Sequence, residues 1–238
     1  MMIRIGVICE GQTDFVAIKI FLERELVRLG KHVTFDMIQP AYDNSLPSGW
    51  PQVLLWLEGN ELPFRSALYL KGESLFEIED EEAKFDALLF QIDSDIIGHS
   101  SFETFIRKRA ISYAPPKNNI DRGNVIRHVL LSIGGHASDA ASLSHKEVMA
   151  PIVESSEAWI LAAENVASNP EYLIGQPLIN AFGALVARSS GQAPKANYSN
   201  INKTTKTRKR ICNQIAKTSS PAGRSHHYDE VVKKIVSL

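Results

Sequence analysis

Apolar positions along the chain follow two periods, and each period predicts an element. Residues 3–9, IRIGVIC, form a short β-branched run that stops at Glu10-Gly11, which predicts a buried strand. Residues 14–29 then carry Phe15, Ile18, Phe21, Leu22, Leu26 and Leu29 at three- and four-residue steps with charges between them, the stripe of an amphipathic helix. Thr13 or Asp14 is placed to cap its start, and Gly30 to end it. Residues 32–38 predict a second strand. Strand, tight turn, helix and strand in this order predict an α/β domain with a mainly parallel sheet flanked by helices.

Residues 39–50 hold two prolines and a glycine and read as a loop, while 51–58 and 63–70 are apolar runs that the pattern leaves open between helix and strand. The acidic run 72–84 reads as a solvated face. Residues 86–92, DALLFQI, predict a central strand that ends at Asp93-Ser94-Asp95. Helices are expected over 100–110 and 123–133, the second closed by Gly134-Gly135. Residues 147–153 predict another strand, and Pro151 points to an edge position or a strand end. Ser155 or Ser156 then starts a helix over SSEAWILAAENVA. From Ser189 to Arg224 the chain turns polar and basic, before a last helical stretch YDEVVKKIVSL. The organisation expected is one α/β domain over 1–188, with an insertion around 40–75, and a small basic helical appendage over 189–238.

Composition adds mainly exclusions. Hydrophobic residues make up 44%, enough for a substantial core, and the formal net charge of -1 names no partner in bulk. Cys9 and Cys212 lie far apart without CxxC or Cys/His spacing, which argues against a disulfide framework and makes a cytoplasmic setting the default. Cys9, inside an apolar run, reads as a small buried hydrophobe. The opening MMIRIGVICEG has no long apolar core before Glu10, so a signal peptide is not expected, and no run approaches the roughly 20 apolar residues of a membrane span.

The chemistry lies in acids that follow the two best strands. In a parallel α/β sheet the carboxyl ends of the strands form one edge, and ligands bind there. If the strands ending near Glu10 and Asp93 are parallel neighbours, Glu10, Asp93 and Asp95 converge. Strand alternation would put Asp93 and Asp95 on one side and Ser94 on the other. Crowded carboxylates raise one another's pKa, and a divalent cation relieves the repulsion. Hard oxygen donors suit Mg²⁺ or Mn²⁺, which hold phosphate oxygens and activate water. Taken singly, Asp14 is explained as a helix cap and Glu10 as a turn residue. The pairing of an acid with each strand, and Gly11 permitting a tight turn, carries the inference.

The run Ile-Cys-Glu-Gly-Gln-Thr-Asp, residues 8–14, resembles the E-G-x-T-D/E signature of Toprim domains, and LLFQIDSD, residues 88–95, resembles their apolar strand ending in DxD. The resemblance spans roughly residues 1–165 and is most similar to OLD-type and defence-associated Toprim nuclease-like families. It implies a Rossmann-like Toprim core, Glu10 as general acid/base or metal ligand, and Asp93 and Asp95 holding Mg²⁺ or Mn²⁺, with Asp14 in the catalytic group. In ESSEAWILAA, residues 154–163, it implies Glu157, and less directly Glu154, as a further metal ligand. The activity implied is hydrolysis of DNA or RNA, in a phage-defence setting, with a separate ATPase as a possible partner and a homodimer as a possible assembly. Two features depart from the pattern. The interval from Glu10 to Asp93 is long, and no lysine aligns with the catalytic lysine of OLD-type nucleases, Lys146 reading instead as a surface charge. No GxxxxGK[ST] is present, which excludes a fused ATPase of that type.

Lys203, Lys206, Arg208, Lys209 and Arg210 form a basic cluster suited to a phosphate backbone, and Arg107, Lys108 and Arg109 add to that expectation. The seven histidines show no HExxH spacing. His99 is a loop histidine, and His226-His227 reads as incidental in a polar tail. Two rival readings remain at this point: a non-catalytic nucleic-acid or partner-binding module, and a DxD metal-dependent nucleotide-sugar transferase.

Overall fold

The structure, a computed structural model, describes residues 2–40, 47–72, 84–136, 146–165, 170–200 and 204–238. Four strands, β1 (Met2–Ile8), β2 (His32–Gln39), β3 (Ala87–Asp93) and β4 (Glu147–Ile152), form one sheet in the order β2-β1-β3-β4. Every pairing is parallel. β1 therefore has β2 on one side and β3 on the other. The chain winds outward through α1 (Gln12–Arg28) to β2, then returns across β1 to reach β3 by way of α2 (Trp50–Gly59) and α3 (Leu62–Tyr69). The order of strands reverses between β1 and β3, and the carboxyl ends of those two strands flank the crevice where open α/β sheets bind ligands. The architecture is a Rossmann-like α/β sheet with helices on both faces.

Strand alternation sorts the helices. Leu88, Phe90 and Ile92 of β3, with Ile8 and Met149, pack against α2, α4 (Ser100–Arg107) and α5 (Asn119–Ile133). Ala87 and Leu89 of β3, with Ile3, Ile5, Val7 and Cys9, pack against α1, α6 (Ser156–Glu164), α7 (Gln176–Ser189), α8 (Thr205–Ile215) and α9 (His226–Val236). Gln91 and Asp93 follow Leu89 in the same phase, so both belong to the α1 and α6 side of the sheet. Each large aliphatic or aromatic side chain fully removed from water here contributes roughly 1.5–3 kcal/mol.

Several expectations need amendment. Residues 51–58 and 63–69 are helical, while Leu70 is extended and bridges to Phe85, and the signal was Pro51 and Pro63, which occupy first-turn positions where a missing N–H costs nothing. Arg65 on α3 is fully buried and forms a bidentate pair with Glu147 at the start of β4, with His136 on the same carboxylate. The first helix is capped by Gly11 without a side-chain bond, not by Thr13 or Asp14. Gly30, at φ +77°, ends it as expected. Gly11 itself is extended, with φ -156° and ψ 163°. Its value is space, because a Cβ there would stand 3.0 Å from Asp14 Oδ2. Pro151 lies on the edge strand β4. Ile211, Cys212, Ile215, Tyr228, Val231 and Ile235 from the expected appendage share the apolar cluster of α1 and β1. Cys9 and Cys212 are both buried, unbridged thiols. No helix among the described residues is long and apolar enough to cross a membrane. Most of the acidic run 72–84 lies outside the described residues.

Candidate functional site

The β1–β3 pairing brings the acids that follow the two strands to one crevice. Glu10 leaves β1 and turns its carboxylate onto the neighbouring strand, where Oε1 accepts a hydrogen bond from the backbone N–H of Asp93 at 2.6 Å. Gln91 completes a cross-strand loop: its side-chain oxygen accepts from the Glu10 N–H at 3.3 Å, and its amide nitrogen donates to Asp93 Oδ1 at 2.7 Å. A glutamine within an apolar strand, two residues before Asp93, was the sequence signal for this clamp, since that phase puts both side chains on one face.

Asp14 is on the first turn of α1 and accepts a hydrogen bond from Ser156 Oγ at 2.6 Å. Ser156 and Glu157 open α6, and both are buried. Ser155, the residue at the cap position, makes no capping side-chain bond, so the hydroxyl expected to begin the helix serves instead, through Ser156, to tie α6 to α1.

Arg208 closes the arrangement. Its guanidinium is 1% exposed, donates to Glu157 Oε1, and lies 3.4 Å from Ser156 Oγ. The basic cluster therefore divides. Arg208 is not a surface phosphate contact but an internal cation, while Lys206, Lys209 and Arg210 remain exposed. Lys203 lies outside the described residues. Periodicity held the clue: Arg208, Ile211, Cys212 and Ile215 occupy one stripe of α8, so the arginine stands at a core position. A charge there needs an internal partner.

Asp93 is the focus. Burial, and then the neighbouring charges of Glu10, Asp14, Asp95 and Glu157, push its carboxyl well above the ordinary carboxylate range. Five acids gathered at a strand switch point are what a cation-binding centre requires electrostatically. Asp95 joins the group by another route than expected. β3 ends at Asp93, and Ser94–Ile96 form a 3-10 turn, so alternation does not reach Asp95. Ser94 is instead buried and its Oγ accepts a hydrogen bond from the Glu154 N–H at 2.8 Å, while the Asp95 N–H donates to Glu154 O at 3.2 Å and Asp95 faces solvent.

Glu154, at φ +60°, is buried with Oε1 accepting from the Gly175 N–H at 3.2 Å and Oε2 3.6 Å from Arg122. It braces the turn after β3 from β4. Lys146 donates to Lys71 O at 2.6 Å just before β4 begins, at the amino edge of the sheet, away from the carboxylates. His99 is exposed at the start of α4. Arg109 is engaged by Glu58 and stacked on Phe105.

The donor set, all carboxylate oxygen, matches Mg²⁺ or Mn²⁺. The spacing qualifies that match. Among the described residues, the three side chains whose ligand atoms lie within 4.8 Å of one another are His226, His227 and Glu230, not the carboxylates. Beside the centre, a groove of about 440 Å3 runs between α1 and α8, lined by Gln12, Phe15, Lys19 and Lys209 among others.

No family model, curated protein or solved structure matches this chain.

Proposed function

We propose that the chain is a Toprim-type, Mg²⁺- or Mn²⁺-dependent nuclease that hydrolyses phosphodiester bonds of DNA or RNA. The observation that carries this reading is the convergence of Glu10, Asp14, Asp95 and Glu157 on a buried Asp93 whose pKa they raise. Such a cluster at a β1–β3 switch point fits phosphoryl chemistry, because ligands of open α/β sheets bind at that crevice and a divalent cation relieves the repulsion between crowded carboxylates. A bound divalent ion supplies polarisation of a phosphoryl oxygen and a water acidic enough to attack at neutral pH. Asp93 and Asp95 hold that ion. Glu10, fixed by the Asp93 amide, is the general base or a further ligand. Ser156 positions Asp14, and Arg208 balances Glu157, providing an internal cation where no lysine aligns with the family pattern. Lys206, Lys209 and Arg210 face the solvent as contacts for the nucleic-acid backbone. A cytoplasmic setting, a role in phage defence, an ATPase partner and a dimer belong to the same proposal, on the resemblance alone.

The test is cleavage of single- and double-stranded DNA and RNA with Mg²⁺ or Mn²⁺, beside Asp93→Asn and Glu10→Gln. Metal-dependent cleavage lost in both variants supports the assignment, and cleavage that survives both refutes it. A second reading, a non-catalytic binding module, draws on one observation: Glu157 already has a protein cation in Arg208. Metal-independent nucleic-acid binding without cleavage favours it. The nucleotide-sugar transferase reading has no counterpart in the acid at Glu10.

A further inference from the structure

The pair His226-His227 does not lie in a loose polar tail. Both residues open α9, and Ser225 caps the helix by accepting from the Tyr228 N–H. His226 is exposed, while His227 is fully buried. Its ring packs directly on the backbone of α5 at Gly123, where a Cβ would fall 2.1 Å from His227 Nε2. Only glycine leaves room for the imidazole at that point on α5.

Hydrogen-bond accounting then poses a problem at His227. Its Nε2 lies 3.2 Å from the carbonyl oxygen of Ile120, which can only accept, so Nε2 carries the hydrogen. In the neutral ring Nδ1 is then a lone pair, and it faces Glu230 Oε2, another acceptor, at 3.2 Å. Two acceptors in contact repel unless a proton or a cation lies between them. Adding the proton creates a buried imidazolium close to Arg127, which already grips the same carboxylate. A metal ion can take the place of that proton, because a metal binds the neutral imidazole through the same lone pair and releases the proton to solvent. His226 Nε2 stands 3.5 Å from Glu230 Oε1 and completes a set of three ligand atoms that all lie within 4.8 Å of one another. The Glu230 carboxylate thus reaches one imidazole with each oxygen, His226 Nε2 from Oε1 and His227 Nδ1 from Oε2.

We infer that His226, His227 and Glu230 form a second metal site, for a Zn²⁺-class transition ion, separate from the carboxylate centre. Two imidazoles and one carboxylate select such an ion over Mg²⁺. The surroundings are those of a built site. The Ile120 carbonyl fixes the His227 tautomer, and Arg127 orients the Glu230 carboxylate, the supporting contacts that tune metal ligands. A polar cleft of about 330 Å3 opens beside His226, lined also by Glu171, Arg224 and Asp229, and leaves that imidazole open to solvent. All three ligands lie in the first turns of α9, which packs on α5 and β4.

The experiment uses the full chain carrying Asp93→Asn, so that the carboxylate centre does not obscure the result. Co²⁺ is titrated while visible d–d absorption is followed, then Zn²⁺ is added in competition. The expected result is one equivalent bound, displaced by Zn²⁺ but not by millimolar Mg²⁺, with affinity lowered more than tenfold by His226→Ala. Zn²⁺ should also raise the melting temperature of the parent and not that of His226→Ala. His226 is exposed, so its replacement leaves the packing of His227 in place, and Glu230→Gln serves as a second variant read in the same way. Absence of Co²⁺ binding, or binding that both variants leave unchanged, overturns the inference.

Discussion

The Glu10 carboxylate and the Asp93 backbone amide are joined by a 2.6 Å hydrogen bond that crosses from β1 to β3. The contact fixes the side chain of one acid by the main chain that carries the other, so the spacing of the two carboxylates is set by strand pairing. Glu10→Gln preserves the shape and one acceptor oxygen while removing the charge. We expect cleavage to fall by at least 100-fold, the scale of a lost general base, with a circular dichroism spectrum unchanged. A variant that keeps its cleavage rate removes Glu10 from the chemistry.

Asp93→Asn separates activity from stability. The folded pKa of Asp93 is raised, chiefly by burial and then by Glu10. A carboxyl with a raised folded pKa contributes stability below its unfolded pKa, and that contribution is lost as pH rises through the folded value. At neutral pH the ionised group is therefore a liability without a bound cation. Asp93→Asn should melt a few degrees higher than the parent at pH 7 in chelator, at about 2–4 °C per kcal/mol for a chain of this size. The difference should close as pH falls toward the ordinary carboxylate range. Mg²⁺ should stabilise the parent and leave the variant unmoved. Equal melting temperatures across pH would show that Asp93 carries no such strain.

Removing Arg208 leaves Glu157 buried without its guanidinium. Arg208→Met should destabilise by about 3–5 kcal/mol, the cost of stranding one member of a buried pair. The double variant Arg208→Met, Glu157→Gln should recover much of that loss. A cycle of chemical denaturation on the four proteins gives the coupling energy, and additive effects would show that the two side chains act independently.

Charge on the outer face of α8 should act differently. Replacing exposed Lys206, Lys209 and Arg210 with glutamine should weaken binding to any nucleic-acid sequence alike, and flatten its salt dependence by up to about three phosphate contacts. Stability should change by less than about 0.5 kcal/mol. Salt-titrated binding measures this, and an unchanged slope would place the nucleic acid elsewhere.

Arg65→Met tests the brace between α3 and β4. Glu147 would keep His136 but lose a bidentate arginine. Its carboxyl, which burial alone would raise, is held below the ordinary range by His136 and Arg65. A stability loss of about 3–5 kcal/mol is expected at pH 7. It should shrink under acid conditions, because a depressed carboxyl loses its contribution as pH falls through the folded value. Denaturant melts at pH 7 and below pH 4 read both parts.

Local chemistry was legible where a single residue type forces an outcome. IRIGVIC and DALLFQI declare strands by length and branching, and the acids after them declare the edge at which they gather. The inward turn of Arg208 was harder to read, because Lys206, Lys209 and Arg210 around it give the segment the composition of a solvated helix. Only its register with Ile211 and Ile215 identifies a core position. The route of Asp95 was also hidden. Where β3 stops depends on the turn braced by Ser94 and Glu154, residues 60 apart in sequence. His227 was obscured in the same way, since nothing near it in the chain announces that Gly123 lies beneath its ring.

The origin of Arg208 sets an order in time. Glu10, Asp14, Asp93 and Glu157 leave the ribosome well before it. While α8 is still being made, the strands can pair, but the carboxylates at their ends meet without an internal cation. The cation that faces Glu157 thus comes from a helix translated about fifty residues after the last acid.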